Sequence, residues 1–598
     1  MKLAGILKEA FEKAGVPLPE TPKKKAVPVL DQRKKKVFRP DAHQERKARP
    51  RNTREKVKDK QAAKPTSALN GKKVTVTANG TCITRWSSPE PAAKRSASKA
   101  VAQSCGSKGG MRGSTVSLRG DPDYSITATP EACVTWHTLQ YGQSVSLRKW
   151  PLEGYETQLN EGTDEKFLCL GLDFGSSTLK AVISDGERQI TYAVPFRDIQ
   201  GIEGYLLPCR VYLGENGYSL EGQGQVYQDL KLALLANAES LQAQLPVVGF
   251  LALALRMIRG WLLSTHGETY SGAIIWDLAI GLPVASRRDE KTVRLYQLVS
   301  TAAWIASTEK QLTPEAIGQA LKRAEALCSG AEAECDSEDI EVRAEPEIAA
   351  QIYGFVSSGA YDPQASNIYL MVDVGAGTLD ASVFRVERKR GQRKDSLVIF
   401  RTTVEPHGVM NFHRKRMGWL ESALSQKLPD RPDLRTAVQV ISHLTDAVEA
   451  LPDRVDGYFN GVEIQFKGRI IDQLFYGQVN RQVVQDTYLH VANERLLDRQ
   501  QMAGMPMFLC GGGSRSGFYA KLKSDLQSAP GFSWFGVTPK PLQKPRGLVA
   551  PGLHRADYDR LSVAFGLSQL KLDKLVMDVP VLAEKPTRVD FSERYIEK

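Results

Sequence analysis

The chain has 598 residues, 42% of them hydrophobic and 25% charged. That length exceeds what one hydrophobic core supports, and the composition excludes a fibrous or wholly disordered protein. The net charge of +12 belongs entirely to residues 1–65, where 20 basic residues face 8 acidic ones; the other 533 residues carry 60 of each sign. A role built on positive charge therefore attaches only to this leader. Eight cysteines at 82, 105, 133, 169, 209, 328, 335 and 510 form no CxxC pair and no zinc-ligand spacing. With no secretory signal, they read as reduced thiols in a cytoplasmic protein.

Residues 1–16 place Leu3, Ile6, Leu7 and Phe11 on one face of an amphipathic helix, which docks on a partner or on its own protein. Residues 17–70 hold Pro17, Pro19, Pro22, Lys23-Lys24-Lys25 and Arg33-Lys34-Lys35-Lys36 without apolar periodicity, the pattern of a basic disordered linker. Contact with RNA or DNA phosphates through residues 23–65 stays open beside a purely solvated tether. In residues 71–165 the β-branched runs Val74–Thr77, Thr115–Leu118 and Ser144–Leu147 lie between glycine-rich turns. They indicate a small β-rich module or an arm.

From Phe167 onward apolar strand-like runs alternate with amphipathic helical stretches to about residue 570, the pattern of an α/β architecture. The apolar run Val247–Leu255 is broken by Arg256 before Met257, Ile258 and Trp261, so it reads as a buried helix and not a membrane span.

Three strand-to-turn junctions carry the chemistry. The first runs Asp173-Phe-Gly175-Ser176-Ser177-Thr178-Leu-Lys180 between two apolar strands. Gly175 permits a tight turn, the following amides and hydroxyls suit phosphate oxygens, and Asp173 suits a magnesium ion held through water. Lys180 lies on the return strand and points back at the same phosphates. The second junction, Asp373-Val-Gly375-Ala376-Gly377-Thr378-Leu-Asp380, repeats the design. Two such hairpins 200 residues apart suggest two similar domains facing each other over one nucleotide. The third, Cys510-Gly511-Gly512-Gly513-Ser514-Arg515, follows a buried strand with three glycines that let backbone approach a base or ribose.

Taken together these segments resemble the nucleotide-binding domain of heat-shock protein 70 (DnaK-type) chaperones, shared with actin and sugar kinases. Glu345-Pro-Glu-Ile-Ala-Ala-Gln-Ile-Tyr-Gly354 is similar to the chaperones' first connecting helix and Leu561–Gly566 to the second. The resemblance implies a two-lobed actin-like ATPase fold of two ribonuclease-H-like domains, lobe I over residues 166–366 and lobe II over 367–570, with a tail over 571–598. It implies ATP or ADP and Mg2+ as ligands. Asp173 and Asp373 would hold the metal and position the attacking water, which Glu345 would help to orient. Ser176, Ser177, Thr178, Gly375, Ala376, Gly377 and Thr378 would contact phosphates; Gly511, Gly512, Gly513, Ser514 and Arg515 would lie along the adenosine.

Two departures qualify this. The chaperones' lysine segment has its counterpart at Leu220–Val226, which lacks lysine, so Lys180 is the expected substitute. Thr445–Pro452 replaces the adenine-clamping helix, and only 32 residues follow Gly566, too few for a peptide-binding domain. The expected function is a slowly hydrolysing, chaperone-like ATPase whose opening and closing couple to the N-terminal region and an unidentified protein partner or client. A filament-forming actin-like ATPase and a nucleotide-gated scaffold or nucleic-acid adaptor are the alternatives.

Overall fold

A computed structural model describes residues 124–135, 146–150, 165–270, 272–283, 289–329, 342–356, 361–362, 365–388, 395–442, 451–527, 535–569 and 575–578. The expected amphipathic helix over 1–16, the basic linker over 17–70 and the runs at 74–77 and 115–118 lie outside the described residues. So do most of the 445–452 segment and all but four residues of the tail.

The chain is a mixed α/β protein built on two large sheets. In the first, the hairpin β2 (Lys166–Phe174) and β3 (Thr178–Asp185) is antiparallel, and β4 (Ile190–Ala193) continues on the β3 side. On the β2 side lie β5 (Ile274–Leu282) and then β6 (Val342–Pro346), both parallel. The second sheet repeats this plan. An antiparallel hairpin of β7 (Ile368–Val374) and β8 (Leu379–Arg388) is flanked by antiparallel β9 (Asp395–Glu405) and by parallel β11 (Pro506–Cys510). Short strands from the C-terminal end close each sheet: Leu548–Val549 beside β4, and Leu575–Asp578 beside β9.

Alternation explains the strands. In β2, Leu168, Leu170, Leu172 and Phe174 point to one side and are almost wholly buried, each contributing roughly 1.5–3 kcal/mol by leaving water. They pack against α2 (Leu241–His266), α3 (Glu290–Ala306) and α4 (Pro314–Ser329). By length and hydropathy α2 could cross a bilayer, but 78% of its most apolar window is buried inside the protein, as suits a core helix.

Between the sheets lies a third core. Helices α5 (Glu347–Val356) and α8 (Ser562–Gln569) meet Val182 and Ala279 of the first sheet and Tyr369, Met371, Phe384 and Phe508 of the second. Their contact depends on Gly566, where any Cβ would collide with the Ala350 carbonyl. The two segments read as connecting helices thus share one layer between the sheets.

The N-terminal region is not a self-contained module among the described residues. Its strand β1 (Tyr124–Val134) pairs antiparallel with β10 (Phe459–Phe466), with a register shift between Ala128 and Cys133. Tyr124, Ile126, Ala132 and Val134 then pack on Leu420 and Leu424 of α6 (Val409–Lys427) and on Leu434 and Val438 of α7 (Pro432–Ser442). Further on, Leu147 bridges to Arg197, and Arg148 donates its amide to Phe196 and its guanidinium to Asp198 at 2.8 Å. One stretch of the arm lies on each sheet's half of the molecule.

Candidate functional site

The ends of β2, β7 and β11 open into one cleft with a cavity volume of about 90 Å³. Of the residues expected from the sequence, Asp173, Gly175, Ser176, Ser177, Thr178, Lys180, Asp373, Gly375, Ala376, Thr378, Gly511 and Gly512 line it. Gly377 adjoins it: a Cβ there would stand 3.1 Å from the Ser176 hydroxyl, so the two aspartate turns approach each other closely.

The turns are closed alike. The Gly175 amide donates to the Thr178 carbonyl at 3.1 Å, and the Gly375 amide to the Thr378 carbonyl at 2.9 Å. The first turn is held from behind by the Cys209 amide, which donates to the Ser177 carbonyl at 2.8 Å. The second sits on the N-terminus of α6. There the Val409 and Met410 amides donate to the Gly375 and Ala376 carbonyls at 3.1 and 2.8 Å, and Asn411 donates to the Gly377 carbonyl at 2.6 Å. The helix amides that would otherwise lack partners thereby fix the turn's carbonyls.

Four predicted positions lie elsewhere. Glu345, next to the last residue of β6, faces Arg343 at 3.8 Å; it is not among the residues lining the cleft. Gly513 packs on Val409 and Val374, and the Ser514 hydroxyl donates to the Gly511 carbonyl at 2.8 Å. Arg515 is engaged by Asp559 at 2.7 Å and Asp557 at 3.1 Å.

The cleft also contains residues to which the sequence reading assigned no role. Lys231, from the short helix α1 (Leu230–Ala236), pairs with Glu347, the first residue of α5, at 2.7 Å. Asp380, Asp559, Arg560 and Val563 complete the lining. Glu347 and Gln351 are one helical turn apart and share a face of α5. Glu347 reaches Lys231, and the Gln351 amide donates to Asp373 at 2.9 Å. One helix thus touches functional groups from both halves.

The charges are unevenly compensated. Asp173 is paired with Lys180 at 3.0 Å. Asp373 is pushed up to about 6 by burial, reinforced by Glu347 and Asp173 and opposed by the Gln351 hydrogen bond and Lys180. Asp380 is pushed up to about 8, again first by burial and then by Glu347 and Asp373, and its Oδ1 is buried without a hydrogen-bond partner. Burial opposes the Lys231 charge, but Glu347 against it holds the ammonium above its ordinary value. Five carboxylates and three cations share a small space, and a buried carboxylate without a counter-charge is costly.

Among the described residues no three His, Cys, Asp or Glu side chains are grouped to hold a metal by themselves. No protein-family model matches the chain, and no curated protein matches it significantly.

Proposed function

We propose that the chain is a two-lobed, actin-like ATPase that binds ATP or ADP with Mg2+ between its two sheets and hydrolyses ATP slowly. The reading rests above all on one observation: matching Asp-x-Gly hairpins from two similar sheets approach each other across a single cleft containing Lys180 and Lys231. The glycine turn at 511–512 borders the same cleft, at the end of the strand parallel to β7.

Mg2+ fits the donor set. The unsatisfied Asp380 Oδ1 and the raised values of Asp373 and Asp380 mark a deficit of positive charge that a hard cation would relieve. The lack of a closed protein cage suits an ion held by one or two carboxylates with water and phosphate as its other ligands. Asp173 and Asp373 would hold it, where it would neutralise charge on the phosphates.

In this chain the cation expected near Leu220–Val226 is replaced by Lys231, which would bind the phosphates together with Lys180. Glu347 then takes the water-orienting role expected of Glu345, because it is the carboxylate of that segment in the cleft. Gln351 holds Asp373 in place. The work of these residues is positioning and charge stabilisation. The arm touches both halves, at β10 and at Phe196–Asp198, which supports a chaperone-like cycle in which lobe movement reaches the N-terminal region and its partner.

The experiment is ATP binding and single-turnover phosphate release by the full chain, compared with Asp373→Ala, Lys231→Ala and Glu347→Gln. Binding should fail in the first two, while the third should bind ATP and release phosphate at least tenfold more slowly. A wild-type chain that neither binds nor hydrolyses ATP rejects the reading.

A further inference from the structure

A second link between the two halves lies at the rim of the cleft, on α1. Leu230 and Leu234 anchor this helix in the core of the first sheet, and Lys231 between them lines the cleft. Asp229, the residue just before the helix, does not do what an aspartate at that position ordinarily does. Its backbone carbonyl accepts the first helical bond, from the Ala233 amide at 2.9 Å, but its carboxylate caps none of the helix amides. Its φ of +51° also lies in the left-handed region that side-chain-bearing residues seldom occupy.

The carboxylate reaches the other half instead. Arg414 of α6 donates to Asp229 Oδ2 from Nη2 at 2.6 Å, and to Asn411 Oδ1 from Nη1 at 3.2 Å. Asn411, three residues earlier on the same face of α6, donates its amide to the Gly377 carbonyl at 2.6 Å. Leu232 adds an apolar contact, since a Cβ on Gly377 would stand 3.3 Å from its Cδ1. An unbroken chain of bonds therefore runs from the second aspartate turn through Asn411, Arg414 and Asp229 to the helix that carries Lys231. The Arg414 and Asp229 side chains are 32% and 37% exposed, so salt screens the pair and it adds little to stability. A sparsely populated backbone conformation kept for so weak a pair points to a role in positioning.

We infer that Arg414 is a positioning residue: acting through Asp229, it ties α1 to the second turn, keeps Lys231 on the phosphates and sets how fast the nucleotide leaves. This inference rests on the ATPase reading, and it deepens that reading by assigning control of release to two residues that do not line the cleft. When the halves part, α6 moves away from α1 and the pair breaks. When they close on a nucleotide the pair forms again, and Lys231 arrives with its helix.

The test follows release of methylanthraniloyl-labelled ADP, with Mg2+, from the full-length wild type, Asp229→Asn, Arg414→Gln and the double variant by stopped flow. Asparagine tolerates the left-handed backbone, so Asp229→Asn removes the charge and leaves the turn. Each single variant should release ADP about two- to fivefold faster, the scale of one part-exposed ion pair. The double variant should be no faster than the faster single, because both substitutions break the same contact. Asp229→Asn is the decisive member: loss of a negative charge by itself favours retention of an anion, so faster release reports the broken pair. Added salt should bring wild type toward the variants. If wild type does not bind the labelled ADP, the ATPase reading fails and this inference with it. If wild type binds but the single variants release at its rate, if the two effects add, or if the gap is independent of salt, the inference alone is overturned. A purely structural role would lower the unfolding midpoint and leave release unchanged, which also overturns it. Should Arg414→Gln not fold, Asp229→Asn decides: release at the wild-type rate at every salt concentration rejects the pair, and faster release that wild type approaches as salt rises supports it.

Discussion

Lys180 and Asp380 stand at the same position of two matching hairpins: Lys180 is the cross-strand partner of Asp173, and Asp380 of Asp373. The backbone plan is repeated, but the charge is reversed. In the first hairpin the pair has opposite signs and closes at 3.0 Å. In the second the signs are alike, Asp373 helps burial to raise Asp380, and Gln351 supplies the neutral donor that Asp373 would otherwise lack. The cleft is thus internally neutral on one side and short of positive charge on the other, an asymmetry that suits a metal–phosphate ligand entering between them.

The two positions should respond oppositely to neutralisation. Lys180→Met leaves Asp173 buried without its cation and should cost about 3–5 kcal/mol. Asp380→Asn removes a buried carboxyl whose ionisation burial and its acidic neighbours oppose, and should leave the ligand-free protein as stable or about 1 kcal/mol more stable. Urea unfolding at pH 7.5 with chelator checks both signs. Strong destabilisation by Asp380→Asn would contradict the charge picture.

Most of this cleft was legible because strands and turns declare themselves locally. Leu168, Leu170, Leu172 and Phe174 alternate along β2, and a glycine two residues after each aspartate marks where the chain must turn. The helical contributors gave no such signal. Lys231 sits in Leu-Lys-Leu-Ala-Leu-Leu-Ala, where a lone lysine looks like a solvated face, and only the placement of α1 against α5 turns it into the cleft. Glu345 and Glu347 are two residues apart, so on a continuous strand they would share a face. The strand ends at Pro346 and a helix begins at Glu347, which sends the second glutamate alone to the cleft. The β-rich reading of 71–165 rests on runs at 74–77, 115–118 and 144–147; neither the 124–134 strand nor its pairing with 459–466 is among its signals, because pairing over such separations leaves no local mark.

His413 gives a pH dependence with a definite sign. Its Nε2 faces the Ile441 carbonyl at 2.8 Å, an acceptor only, so Nε2 carries the proton and Nδ1 accepts from the Tyr458 hydroxyl at 3.0 Å. Burial pushes this imidazole down to about 4, against the raising effect of the Ile441 hydrogen bond. The native state therefore binds fewer protons than the unfolded chain between pH 6.5 and 4. Its stabilising contribution is complete above that window and is lost as pH falls through it. Over the whole window this is about 3 kcal/mol. Urea midpoints of wild type and His413→Gln, compared from pH 7 to 4, should converge on acidification. Parallel curves would show that His413 does not titrate as described.

The β1 strand should behave as core despite coming from the N-terminal region. Ile126 is 7% exposed and packs in the cluster that joins α6 and α7, while the neighbouring Thr127 points outward. Ile126→Ala should therefore cost about 2–4 kcal/mol, and Thr127→Ser less than about 0.5 kcal/mol. Chemical denaturation of the full chain distinguishes them. Equal, small effects would mean that β1 is not part of the fold.

Gly511 offers the sharpest separation of fold from ligand binding. Its φ of +82° lies in the region that side chains avoid, and any Cβ would collide with the Asp373 carboxylate and the Val374 carbonyl. The strain of Gly511→Ala is local to the mouth of β11, so about 1–3 kcal/mol of stability should be lost with the secondary structure retained. The consequence for binding should be larger in kind. The alanine must displace either the carboxylate that Gln351 holds or the backbone turn that borders the cleft, and both belong to the proposed nucleotide site. Affinity for Mg-ATP should fall by at least tenfold, equivalent to about 1.4 kcal/mol, while Gly504→Ala, at a positive-φ turn with no atom within reach of its Cβ, should leave it unchanged. Isothermal titration of both variants decides the matter: equal losses would mean that strain propagates through the sheet, and no loss in Gly511→Ala would remove the third turn from the site.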